Sequence, residues 1–133
     1  MSAAARRRRA GAAVSRRIAP WQAAVLDALL IGVFAAIGRA SHGEGEPVLG
    51  AAVTAWPFLV GAAAGWALVR VRSGRWPLGL GPGIPVWACT VLVGMLLRAL
   101  TSQGTAFSFV LVAALSLGVL LLGWRALLTR LRG

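Results

Sequence analysis

The residues of this chain whose types can do chemistry are an acid inside an apolar run, two arginines that close apolar runs, and a Ser-His pair. Asp27 lies about a third of the way into the apolar run within Trp21 to His42, a stretch in which about eighteen residues are mostly apolar, long enough to cross a bilayer. A carboxylate is costly in hydrocarbon, so Asp27 is expected to face protein or water. Three readings stand for it: a protonated acid hydrogen-bonded to Thr90, Ser116 or backbone; an ion or proton site; or a contact to another subunit. At about 1.5 Å per residue, Thr90 falls at a similar depth, whereas Arg98 falls roughly 12 Å further out, so no cationic partner is expected for Asp27. With Thr54 these residues form a candidate intramembrane polar site: Asp27, Thr54, Thr90 and Arg98.

A second cluster, Arg39, Ser41 and His42, closes the same run beside Glu44 and Glu46. With Arg98 it can receive a phosphate or carboxylate at an outer mouth. Pairing with Glu44 and Glu46 to close the bundle is the favoured alternative. Ser41 next to His42 makes no triad, because no acid is specified to orient the histidine. One histidine and one cysteine, Cys89, leave no material for a metal site or an activated nucleophile. No catalytic residue, metal or cofactor is expected, and an enzyme acting alone is not expected.

The elements that must position these groups are helices in a membrane. Of 133 residues, 59% are hydrophobic and only 13% charged, too little polar surface for a soluble domain of this size. The net charge of +11 comes from fourteen arginines placed mainly between apolar runs, as topology signals are, so nucleic acid is not an expected partner. The expected organisation is a basic segment over 1–19, a transmembrane domain over 20–125 and a short basic tail over 126–133. Its four spans cover about 21–39, 48–69, 84–100 and 106–124. Arg16-Arg17 ahead of the first run resembles a secretory signal, but no small-x-small cleavage site follows, so this is read as an uncleaved first helix. Twelve arginines on one side against Arg39 and Arg98 on the other place both termini inside, in the cytoplasmic membrane. The fold class is therefore an all-α bundle of four transmembrane helices, N-in and C-in. The Gly- and Pro-rich loop from Ser73 to Gly83 lacks the Lys-Ser/Thr pair of a phosphate cradle and is read as structural.

Small residues indicate how the helices meet. Ala24, Ala28, Gly32, Ala36 and Ala40 recur every four positions in the first span, and Arg39 falls within about 20° of Ala28 on a helical wheel. The stripe is expected to be internal packing before it is a dimer interface, with Asp27 at its edge. Gly61-x-x-x-Gly65 in the second span, Gly94 in the third and Gly118 in the fourth extend the packing set, and Pro57 is expected to kink the second span. A weak repeat relates Arg39 to Arg98 and Gly65-Trp66 to Gly123-Trp124, as two parallel-repeat hairpins would, with Asp27 corresponding to Val86.

The segments FAAIGRASHG (34–43), TAWPFLVGAAAGW (54–66), WACTVLVGMLLR (87–98), AFSFV (106–110) and GWR (123–125) resemble the bacterial and archaeal membrane family known as domain of unknown function 3054. Its pattern appears here as Asp27, Gly38, Arg39, Ser41, His42, Thr54, Ala55, Pro57, Phe58, Thr90, Gly94, Met95 and Arg98. The resemblance covers nearly everything from Trp21 to Arg125. It implies a four-helix membrane protein and supplies no activity. The leading expectation is a small transporter or permeation component, for which Asp27→Asn would abolish flux and leave the fold intact. The alternatives are an accessory protein that docks another membrane protein and a lipid-binding subunit. Membrane lipids and either a second copy or a partner membrane protein are the expected company.

Overall fold

The computed structural model describes residues 2–5, 18–42 and 47–132; of these, the side chains of 39–42, 47 and 132 lie outside the description. Residues 6–17 and the acids Glu44 and Glu46 therefore fall outside it. So do the side chains of Arg39, Ser41 and His42, the outer-mouth candidates, although the backbone of the first helix runs on to His42.

Helix α1 spans Pro20–His42. Proline suits a first turn, where its missing N–H would have no partner, and Gln22 Oε1 accepts from the Ala19 N–H at 2.8 Å, half of a capping box. Helix α2 spans Pro47–Ser73 with Pro57 inside it, and stops at Gly74, whose φ of +71° suits glycine and whose N–H reaches back to Arg70 O at 2.9 Å. Helix α3 spans Leu80–Leu100, so it starts four residues before the expected boundary. Pro82 and Gly83 read as breakers in sequence, but a proline in the first turn removes no helical bond. The last helix is continuous from Phe107 to Arg132: α4 over Phe107–Leu117, a π-turn over Gly118–Leu122, and α5 over Gly123–Arg132. It continues beyond the expected end at Trp124, so that Arg125 lies two turns inside the helix rather than at its tip.

Four of these helices are long and apolar enough to cross a membrane: Pro20–Gly38, Val48–Ser73, Leu80–Leu100 and Phe107–Leu131. The protein is thus an all-helical, multi-pass membrane protein. Contacts run in ring order, α1 on α2, α2 on α3, α3 on the last helix and the last helix on α1, with the α2–α3 contact the most extensive.

The α2–α3 seam is close because it contains glycine. A Cβ at Gly61 would stand 2.7 Å from Cys89 O and 2.9 Å from Thr90 Cα; one at Gly65 would stand 2.7 Å from Val86 Cα. Gly94 leaves room for the Phe58 ring, and Gly118 for the Trp87 indole, which donates to Ala114 O at 2.9 Å. Mid-bundle, Phe34, Phe58 and Phe109 pack with ring centroids 5.5 to 6.4 Å apart. They lie among a core that includes Ile31, Ala62, Met95 and Leu117.

The stripe on α1 departs from expectation. Ala24, Ala28 and Ala36 are exposed, Gly32 has no atom of another element within 4 Å of a Cβ, and the buried face is Ala23, Asp27, Ile31, Phe34 and Ala35. The helix is turned so that Asp27, not its neighbour Ala28, points inward.

Gly61→Ala should therefore destabilise the bundle by about 1–3 kcal/mol, since backbone must move to admit a methyl group. Gly32→Ala should be neutral or stabilising by up to about 1 kcal/mol, because alanine is the better helix former and space is open. Unfolding in mixed micelles, followed by tryptophan fluorescence, measures both.

Candidate functional site

The turn of α1 carries Asp27 into a closed polar network. Its carboxylate is 2% exposed and meets the fully buried guanidinium of Arg125 end-on. Nη1 donates to Oδ1 at 2.9 Å and Nη2 to Oδ2 at 2.8 Å. The indole of Trp124 donates to Oδ1 at 2.8 Å and that of Trp66 to Oδ2 at 2.9 Å. Each oxygen thus accepts two bonds, the full complement of an ionised carboxylate.

Arg125 is satisfied as completely. Its Nε and Nη2 donate to Pro77 O at 3.1 and 2.9 Å, and Nη1 donates to Leu121 O at 2.9 Å. With the two bonds to Asp27, all five N–H groups of the guanidinium are used. Three local features make this fit. Leu121 belongs to the π-turn, where the shift from i→i+4 to i→i+5 pairing disturbs the regular carbonyl ladder. Pro77 is buried in the α2–α3 loop, and Gly83 has no side chain to collide with the Arg125 stem. The Gly- and Pro-rich loop is structural, as read from sequence, and its structural role is to supply a carbonyl to a buried cation.

The expectation that Asp27 has no cationic partner is thus overturned. Arg125 stands 98 positions away, at the end of an apolar run, where an arginine reads as a topology signal. The signal that was available is the pair of Gly-Trp steps at 65–66 and 123–124. They set two indole donors at one level, and Asp27 is the one acid among the described residues that can receive them. Val86, its counterpart in the repeat, offers no side-chain acceptor.

The other expected members of the polar site are elsewhere. Thr90 is buried but donates to Val86 O of its own helix at 2.6 Å. Arg98 closes the α3–α4 turn at the opposite end, bonding Gly104 O at 3.1 Å and Gln103 O at 3.0 Å and lying 4.2 Å over the Phe109 ring. Thr54 is half-buried twelve residues along α2 from Trp66. The phenylalanine layer lies between Arg98 and Asp27, so the four residues do not line one path. Among the described residues no cluster of His, Cys, Asp and Glu could hold a metal ion.

Asp27 does border a space. A cleft of about 600 Å³ opens between α1 and α2, walled by Ala24, Ala28, Ala63 and Ala67, with Asp27 and Trp66 at its inner side. Arg70 and Trp76 stand at one end of it, the guanidinium 4.7 Å over the indole. This volume is within the range of about 300–1,000 Å³ usual for small-molecule sites.

The profile of one protein family, described as protein of unknown function (DUF3054), matches residues 24–128, a range that contains Asp27, Trp66, Trp124 and Arg125. No curated protein and no solved structure matches the chain.

Asp27→Asn or Arg125→Gln alone should cost about 3–5 kcal/mol, because each leaves a buried charge unpaired. The double variant should cost distinctly less than the sum of the two. Trp66→Phe, which removes one bond to the carboxylate, should cost about 1.5–3 kcal/mol. Thr90→Val, which breaks only a bond within its own helix, should cost less than about 1 kcal/mol. Unfolding free energies in micelles read all five variants, the first three as a double-mutant cycle.

Proposed function

We propose, from the premise that the chain belongs to the family of proteins of unknown function DUF3054, that it is a small transport component of the cytoplasmic membrane. In this reading the arginine-rich end lies inside and the α1–α2 cleft receives the substrate. The observation that supports the reading is that the buried carboxylate of Asp27 is at once one wall of an open cleft and the bond that holds α1 to the last helix. An ionisable group in a membrane span is by default a functional site, and this one joins a ligand space to a helix–helix contact. A ligand or proton that takes Asp27 away from Arg125 removes two of the five guanidinium bonds. It thereby loosens α1 from the last helix at one end of the bundle.

A second reading is favoured by the saturation of the network: a static clamp in an accessory protein that docks a partner membrane protein. Gly61 cannot carry that docking, because it is enclosed between α2 and α3, whereas Gly32 lies on an open face. In both readings the chain works without chemistry of its own.

The two are separated by sidedness. With Cys89→Ala as background, Ala28→Cys places a thiol in the cleft beside Asp27. A transporter should be labelled there by an impermeant maleimide from both faces of oriented vesicles. The double variant Asp27→Asn/Arg125→Gln, which lacks the ion pair that holds α1 to the last helix, should label faster than the parent. Labelling of the parent from one face only would reject transport and favour the clamp.

A further inference from the structure

The cleft has the depth of one leaflet. Its wall on α2 runs from Leu59 to Val71, about 18 Å at the helical rise, against roughly 15 Å for half of a hydrocarbon core about 30 Å thick. Leu59 is two residues past Pro57, in the middle of the span, and Arg70 and Trp76 mark the other end. The wall is almost entirely apolar, and Ala24, Ala28, Ala63 and Ala67 are all exposed, so the cleft opens on the outer surface of the bundle, where acyl chains lie. An arginine stacked on a tryptophan at the end of such a groove stands at headgroup level.

Charge complementarity identifies the kind of occupant. The ion pair found among the described residues is Asp27–Arg125, and its carboxylate is filled. The chain's other two acids, Glu44 and Glu46, precede α2 in sequence, whereas Arg70 is near its C-terminal end. A second copy lying in the same orientation brings no acid to Arg70. The groove also stops at mid-span, where a packed helix would continue.

We propose that the cleft binds one anionic membrane lipid from the arginine-rich leaflet. Its acyl chain lies against Ala28, Ala63 and Ala67, and its phosphate lies on Arg70. This rests on the reading of the cleft as the substrate site and names the substrate class. One guanidinium N–H of Arg70 is held by Gly74 O, which fixes the side chain over Trp76 and presents it to the groove. A guanidinium so held matches phosphate geometry.

The test uses the full chain in detergent, titrated with dioleoyl phosphatidylglycerol or dioleoyl phosphatidylcholine and read by native mass spectrometry. The parent should retain one phosphatidylglycerol in preference to phosphatidylcholine. Arg70→Gln should weaken phosphatidylglycerol binding about five-fold and remove the preference, while Arg70→Lys, which keeps the charge but not the planar fork, should fall between Gln and the parent. Ala63→Leu, at an exposed position that leaves the core unchanged, should lose either lipid by filling the groove; Ala67→Leu is the second variant should the first misfold.

Equal retention of the two lipids by the parent, or retention unchanged in both the Arg70→Gln and Ala63→Leu variants, would overturn the proposal. So would a dimer that Ala63→Leu dissociates, which would assign the cleft to a second copy. Lipid bound at the cleft together with maleimide labelling from one face would reject transport and leave this site standing. Labelling from both faces without lipid preference would do the reverse.

Discussion

A buried guanidinium with no access to water must find five acceptor contacts, and a buried carboxylate must find donors for two oxygens. Asp27 and Arg125 meet these demands with each other, with two indoles and with two backbone carbonyls. Each requirement constrains a different element. The carboxylate fixes the rotation of α1, the indoles fix the C-terminal part of α2 and the start of α5, and Pro77 fixes the loop ahead of α3. The π-turn ahead of α5 lies where Leu121 faces the guanidinium. A network so complete leaves α1 little freedom to roll, because a turn of one residue position, about 100°, would carry Asp27 out of reach.

The orientation of α1 has a second consequence. Its small residues, which could have packed against another helix, lie on the open side instead, and the groove they form with α2 becomes the cleft. Close helix packing is concentrated at α2–α3, where Gly61 and Gly65 admit the backbone of the neighbouring helix. The bundle thus has one tight seam and one open one, and the ion pair lies at the inner edge of the open one. That juxtaposition connects the structure to function: whatever occupies the cleft is next to the bond that holds the first and last helices together.

The two ends of the bundle are chemically separate. Asp27 and Arg125 occupy one end, Arg98 closes the turn at the other, and three phenylalanines pack between them. Among the described residues, Arg98 is held by carbonyls and an aromatic face. Among the described residues none builds a continuous polar route through the middle, so movement of a ligand along the bundle would require these helices to shift.

The amino-acid sequence by itself determined the four apolar helices, because run length and hydropathy are local and a bilayer requires both. It also marked Asp27 as an unusual residue, since the cost of a carboxylate in hydrocarbon needs no knowledge of neighbours. The glycines of α2 were legible for the same reason: absence of a side chain permits close approach wherever the partner stands. What the tertiary structure alone decided is which groups meet. Arg125 looked like a topology signal until the last helix ran two turns beyond it. The stripe on α1 looked internal until Asp27 claimed that side, and Thr90 looked like a partner until its hydroxyl turned to its own helix. Partners 98 residues apart carry no local signature; depth along a helix can be counted from sequence, but rotation about its axis is set by what the other helices present.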